Sequence, residues 1–172
     1  MSARPAATVG ISLEGPLGIL QKLWEVNHAL ERVSLGMERT LGVTAQQRFV
    51  IRCVGKFPGI TMGQLAGILH LDPGTVSATV KRLEARGLVS RRRDPRDSRR
   101  VCLGLTDDGR TLDELQAGTV EHAVSELFLR CPRTDVQAAL DVLSELSMLL
   151  DAEPAPETVP RRSTGRRSGG RP

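Results

Sequence analysis

The chain has 172 residues, 40% of them hydrophobic, which predicts one globular domain with a core and leaves too little chain for two. Only 2% of the residues are aromatic, so domains that stack single-stranded bases or RNA on aromatic side chains are disfavoured. The formal net charge is +4, and residues 72–100 carry nine basic and four acidic side chains, which favours a polyanion bound at one place.

The N-terminal part of the chain predicts a flexible segment followed by helices. Residues 1–12 mix Ala, Pro and Gly, and apolar residues at helical spacing then predict a long helix over 13–41. Its apolar surface is nearly continuous, which indicates a partner on more than one side. Thr-x-x-Gln capping boxes at Thr44 and Thr61 predict the starts of two further helices.

A helix-turn-helix and a wing are predicted next. Asp72-Pro73 supplies an N-cap and a first-turn proline for a fourth helix, which Gly87 ends. A short helix and a longer one joined by a tight turn are typical of a helix-turn-helix. Residues 88–93 are expected to form one strand, and residues 99–105, whose apolar side chains alternate, a second. The turn-forming run at 94–98 joins them, which predicts an arginine-rich β-ribbon.

The C-terminal part predicts two more helices and a tail. Thr106 is expected to cap a long helix that runs through Leu129. Cys131-Pro132 interrupts the helical structure, and a last helix runs to about Leu150. The predicted fold is mainly α with a small two- to three-stranded β wing. One domain over 13–151 comprises dimerisation helices at 13–41 and 106–151 and a winged helix-turn-helix at 44–105. Residues 152–172 predict a disordered basic tail.

Four segments together resemble the MarR family of bacterial transcription regulators. They are Asp72–Ser77, Leu83–Val89, the wing Asp94–Arg100 and the strand end Leu105–Gly109, and the resemblance covers roughly residues 15–150. It implies a homodimer in which the first and last two helices interleave. It also implies binding to a near-palindromic double-stranded DNA site, usually as a repressor, with release by a small aromatic or phenolic effector or by an oxidant.

The predicted DNA site combines the fourth helix and the wing. That helix should lie in the major groove and present Thr75, Ser77, Ala78, Lys81 and Arg82. The family often has an arginine where this chain has Ala78, which puts the usual guanine contact in doubt. In the wing the resemblance implies that Asp97 orients Arg99, and a narrow minor groove favours a guanidinium there. Arg96 and Arg100, with Arg91, Arg92 and Arg93, are expected to neutralise phosphates.

An effector site is implied between the dimer helices and the winged lobe. The candidates are Trp24 and His28 on the first helix and Phe49 and Cys53 on the second. Simple core packing of all four residues is the alternative. A redox switch at Cys53 or Cys131 is disfavoured, because the family's peroxide sensors carry their cysteine near the start of the first helix and this chain has none there.

The function predicted is therefore a sequence-specific regulator, a repressor relieved by a small molecule. A sequence-nonspecific architectural DNA-binding protein, a redox-sensing regulator of the same fold, and a protein-interaction module that has lost DNA binding stay open. No enzyme, cofactor or metal is expected, because there is no His–carboxylate cluster, glycine-rich phosphate loop or nucleophile elbow. Without a membrane span or a signal pattern, a cytoplasmic location is expected.

Overall fold

The computed structural model of the protein describes residues 13–93 and 100–154. Contacts between residues divide the chain into two compact units, Met1–Leu127 and Phe128–Pro172, so the single domain over 13–151 stays a prediction. The helices are α1 (Gly15–Leu41), α2 (Ala45–Lys56), α3 (Met62–Leu69), α4 (Pro73–Ala85), α5 (Asp107–Glu114), α6 (Val120–Arg130) and α7 (Arg133–Ala152), and the strands are β1 (Val89–Arg93) and β2 (Val101–Leu105).

The core of the first unit lies among α2, α3, α4, the β hairpin and α5. Burying a Val or Leu side chain contributes about 1.5–3 kcal/mol each, so this cluster is the main stabilising element of the lobe. The capping boxes predicted at Thr44 and Thr61 are both present, with reciprocal bonds to Gln47 and Gln64. Core side chains with 0% exposure come from α2, α3 and α4: Val50, Ile51, Leu65, Val76, Val80 and Leu83.

The two strands form an antiparallel hairpin in which Val89 pairs with Leu105 and Arg93 with Val101. A third strand is reduced to a single bridge, because Thr61 pairs with Cys102 and Leu103 donates its backbone N–H to the Ile60 carbonyl at 2.8 Å. The predicted fold class, mainly α with a two- to three-stranded wing, is confirmed.

The start of α5 is packed directly on the hairpin. The Thr106 hydroxyl donates to the Gly87 carbonyl and accepts the Gly109 N–H at 3.0 Å. A Cβ on Gly109 would lie 2.0 Å from the Leu88 carbonyl oxygen, so no larger residue fits at this contact. The Leu105–Gly109 segment therefore connects the wing rigidly to the helix that follows.

The prediction of one helix from Thr106 to Leu129 is wrong. The chain leaves the helix at Leu115, and α6 starts after Thr119. Gly118 adopts φ +77°, which favours glycine, and the Thr119 hydroxyl accepts the His122 N–H at 3.2 Å as an N-cap does.

The buried face of α2 is not the face that carries its aromatic residue. Phe49 on α2 and Phe57 at its C-cap are 49% and 48% exposed. Arg48, at 1% exposure, lies buried in the same helix, as does Ile51. The helix therefore buries a face that carries a charge, and the reason for this lies in its contacts with α5 and α6.

Several helices carry apolar side chains that the chain itself leaves exposed. On α1 these include Leu17 at 58% and Trp24 at 62% exposure, and α6 and α7 bury none of their residues. Patches of this kind mark interaction surfaces. None of the helices in the described ranges is long and apolar enough to cross a membrane.

Candidate nucleic-acid interface

Helix α4 presents one buried and one exposed face. Val76, Thr79, Val80 and Leu83 point into the core. The Thr79 hydroxyl donates to the Thr75 carbonyl at 2.9 Å, which satisfies this buried polar group. The opposite side is exposed and is called the α4 face below; it consists of Ser77, Ala78, Lys81 and Arg82.

The N-terminus of α4 is fixed by Asp72 and Thr75. The Thr75 backbone N–H donates to Asp72 Oδ1 at 2.9 Å, and its hydroxyl donates to Oδ2. The hydroxyl bond and then the backbone bond lower the pKa of the Asp72 carboxyl. Since the hydroxyl hydrogen is already used, Thr75 offers a base or phosphate group its methyl group and an oxygen lone pair, and Ser77 is the freer donor of the two.

The basic side chains next to the α4 face differ in whether they have a partner. Arg91 pairs with Glu84 at 2.8 Å between Nε and Oε2, and Arg86 donates to the Gly42 carbonyl. Five others have no hydrogen bond or ion pair anywhere within residues 13–93 and 100–154. These free cations are Lys81, Arg82, Arg92, Arg93 and Arg100. Within these residues their positive charge has no paired carboxylate, and such charge attracts a polyanion.

The tip of the wing lies outside the described residues. The predicted contacts of Arg96, Asp97 and Arg99 therefore stay predictions, whereas Arg100 is described and exposed. Arg91 was expected to neutralise phosphate together with its neighbours, but its partner is Glu84. Strand alternation places Arg91 opposite Leu103 and Arg92 opposite Cys102, so the two arginines face opposite sides of the hairpin.

The four residues predicted for an effector do not share one environment. Cys53 is buried at 5% exposure, whereas Trp24 and Phe49 are exposed. His28 is exposed and lies 3.5 Å from Glu31 (Nδ1 to Oε2). Burial raises the pKa of the Cys53 thiol, which lowers its thiolate content and its reactivity. Neither of the two cavities described below is lined by any of these four residues.

A buried arginine that the sequence did not reveal joins α2 to α5 and α6. Arg48 donates from Nε to Glu121 Oε1 at 3.0 Å and from one terminal nitrogen to the Asp113 carbonyl at 3.0 Å. Its guanidinium also reaches the carbonyls of Leu112 and Leu115. Leu112 and Asp113 belong to the last turn of α5 and Leu115 is its C-cap, where carbonyls lack the N–H partner that the helix interior would supply. The buried charge therefore holds the break between α5 and α6.

Among the described residues no group of three or more His, Cys, Asp or Glu side chains is placed to hold a metal ion. Two of the free cysteines are half-buried, Cys102 and Cys131, and Cys102 lines a cavity beside the hairpin.

Known proteins similar in sequence to this chain include MarR and other transcriptional regulators. The sequence profile described as the MarR family matches residues 43–101. The multiple antibiotic resistance protein MarR of Salmonella typhimurium is 34% identical over 102 residues, 58% of this chain and 67% of that protein. The organic hydroperoxide resistance transcriptional regulator of Bacillus subtilis is 34% identical over 43% of this chain, which spans only 50% of that relative.

A solved structure shows the same fold. FabT of Streptococcus pneumoniae, in complex with DNA, aligns with a TM-score of 0.60 at 24% identity and covers 77% of this chain and 95% of that one. At this identity the likeness establishes the fold alone. In this chain, α4 and the β1–β2 hairpin after it are thus elements of a winged helix-turn-helix.

Proposed function

This chain belongs to the MarR family of winged helix-turn-helix transcription regulators, and we propose that it binds a near-palindromic double-stranded DNA site as a homodimer and represses transcription. In this proposal the α4 face enters the major groove. Ser77 and the methyl group of Thr75 contact base edges, and Ala78 offers an apolar contact to a thymine methyl. Arg99, oriented by Asp97, enters the minor groove, and Arg96 joins the phosphate contacts.

The observation that carries the proposal is the position of the free cations. Lys81 and Arg82 lie one turn along the exposed α4 face from Ser77 and Ala78. Arg92, Arg93 and Arg100 lie on the hairpin that follows, and none of the five is neutralised within the described part of the chain. Arginines that serve the fold, such as Arg91, have acidic or carbonyl partners instead. Unpaired cations beside an exposed helix are what phosphate contacts require.

The test is a comparison of two duplexes at fixed salt. The duplex flanking the protein's own gene is expected to bind about 10³-fold or more tighter than a random duplex of equal length. Footprinting should then show two protected half-sites about one helical turn apart, about 34–36 Å. Equal affinity for both duplexes would overturn the regulator and support the architectural DNA-binding protein. Absence of binding to either would support an interaction module.

Dimerisation is proposed from the exposed apolar side chains of α1 and α6 and, in the second unit, of α7. Leu17, Leu20 and Trp24 of α1 lie at 49–62% exposure, and Leu143 and Leu150 of α7 at 51% and 62%. An interface between two copies removes such surface from water. Light scattering of the full chain is expected to give twice the chain mass of 18.7 kDa, and a monomer at micromolar concentration would contradict it.

Release by a small aromatic or phenolic effector is proposed for the cleft bordered by α1 and α2, with Trp24, His28, Phe49 and Cys53 as candidates. Trp24 is the only tryptophan of the chain, so its fluorescence reports binding directly. Titration with 4-hydroxybenzoate should change that fluorescence and lower DNA affinity together. A change in one without the other would separate ligand binding from regulation.

A further inference from the structure

A cavity of about 680 Å³ lies beside the hairpin. Its walls are the end of α2 with the Pro58-Gly59 turn, the hairpin, and the start of α5. Ser90 pairs with Gly104 and Arg92 with Cys102, so these four residues share one face of the hairpin and line the cavity together. Arg93, the last residue of β1, also lines the cavity, although alternation places it on the face of Arg91. The volume is in the range of small-molecule sites.

The lining of this cavity is cationic. Arg92, Arg93 and Arg110 contribute, and none of the acidic side chains in residues 13–93 and 100–154 lines it. Arg110 is already held, because it donates to the Leu105 carbonyl at 2.9 Å and to Asp107. Arg92 and Arg93 have no partner within residues 13–93 and 100–154. Two guanidinium groups next to an open cavity favour a carboxylate, which they can bind by paired hydrogen bonds.

An apolar groove continues from the same cavity. A second hollow of about 390 Å³ shares Pro58 and Gly59 with the first and is lined further by Phe57, Ile60, Gln64 and Ile68. Phe57 and Ile68 are 48% and 39% exposed. An elongated ligand with a charged head at Arg92 would therefore reach apolar surface with its body.

We propose that this composite groove binds a medium-chain alkyl carboxylate, with the carboxylate at Arg92 and Arg93 and the alkyl chain over Pro58 toward Phe57 and Ile68. The cationic end selects the anion. The apolar end supplies free energy by removing alkyl surface from water. This site is separate from the effector candidates on α1 and α2.

Such a ligand would act on DNA binding through charge. A carboxylate held at Arg92 and Arg93 neutralises two of the free cations, so fewer phosphates can be neutralised by the wing. This consequence rests on the proposed function. The binding of the carboxylate itself does not, because it can be measured without DNA.

The test is a calorimetric titration of the full-length protein, without DNA, with octanoate, 1-octanol and inorganic phosphate. Octanoate is expected to bind at least tenfold more tightly than either of the others. In NMR spectra of the same titration, the backbone amide signals of Gly55, Gly59 and Gly104 should shift. Equal binding of 1-octanol would overturn the role of the arginines. Equal binding of phosphate would overturn the role of the apolar groove.

Two variants and one matched control locate the site. Arg92→Gln should weaken octanoate binding at least tenfold. Arg91→Gln makes the same charge change on the opposite face of β1 and should change octanoate affinity less than twofold.

Gly104→Val places side-chain atoms in the cavity. A Cβ at that position would lie at an ordinary 3.7 Å from Ser90 Oγ, so the fold should survive and binding should be lost. Equal loss in Arg91→Gln and Arg92→Gln, or unchanged binding in Gly104→Val, would overturn the proposal. A failure of DNA binding alone would leave this titration intact and count against the proposed function only.

Discussion

Arg48 and the wing arginines lie in the same lobe and use the same side chain in opposite ways. Arg48 is 1% exposed, and its nitrogens donate to Glu121 and to backbone carbonyls of the α5–α6 break. Arg92 and Arg93 are exposed and have no partner in the described part of the chain. Buried charge is tolerated only when it is paired and hydrogen-bonded, whereas exposed unpaired charge is free for an external ligand.

This contrast separates residues that hold the fold from residues that bind ligands. Arg91 shows the intermediate case, because it lies between Arg92 and the core strand residues yet pairs with Glu84 on α4. Neighbouring arginines in one run therefore serve different purposes. The partner of each guanidinium, rather than its place in the sequence, decides which purpose it serves.

The largest expected effect is on stability at Arg48. Arg48→Ala removes the buried guanidinium that donates to the Glu121 carboxylate and to carbonyls at the end of α5, and the free energy of unfolding should fall by about 3–5 kcal/mol in urea titrations. The control is Arg52→Ala, whose side chain is 42% exposed although it pairs with the same Asp113. The control should lose less than about 1 kcal/mol. Equal losses would show that burial does not distinguish the two arginines.

The next effect is on DNA affinity at the wing. Arg99→Ala should weaken binding to the specific duplex by about 1–3 kcal/mol, because a minor-groove guanidinium is lost, without lowering the unfolding temperature. Fluorescence anisotropy and thermal melting measure the two quantities on one sample. Unchanged affinity would remove the tip of the wing from the site. A lowered melting temperature would place Arg99 with Arg48 among the residues that hold the fold.

A smaller effect distinguishes Arg91 from Arg92. Arg91→Ala breaks the pair with Glu84 and should lower stability by about 0.2–1 kcal/mol. Arg92→Ala should leave stability unchanged but weaken all duplexes about equally and reduce the slope of log affinity against log salt by about 1. If Arg91→Ala weakened DNA binding and reduced the salt slope while Arg92→Ala did not, the Arg91–Glu84 pair would have to open when DNA binds.

The sequence predicted features that depend on neighbouring residues and missed features that depend on residues far apart in the chain. The start and end of α4 were predictable, because Asp72, Pro73 and Gly87 act within one helical turn of the ends they set. The break at Leu115–Thr119 was not. Gly118 alone is tolerated inside a helix, and the Arg48 contacts that favour the break span 64 to 67 residues of sequence.

For the candidate site, the positive charge and the α4 face were visible in the sequence, but the partners of the charges were not. Glu84 lies seven positions before Arg91 on a different element, and only the crossing of α4 and β1 brings them within 2.8 Å. The cavity face with Arg92 and Cys102 depends on the register of the hairpin. Register was not derivable, because the turn at 94–98 permits more than one pairing.

The smallest expected effect concerns the pH dependence set by Asp72 at the α4 N-terminus. Its folded pKa is lowered by the Thr75 hydroxyl and backbone N–H, so it contributes stability above the unfolded pKa of about 3.9, and that stability is lost as pH falls through the lower folded value. Asp72→Asn keeps a capping oxygen but cannot titrate. The stability difference between the wild type and Asp72→Asn should therefore be constant near neutrality and shrink below about pH 4. Urea unfolding at pH 7, 5, 4 and 3 measures it. A difference that stays constant over the whole range would show that the carboxylate charge does nothing for the helix beyond what an amide oxygen supplies.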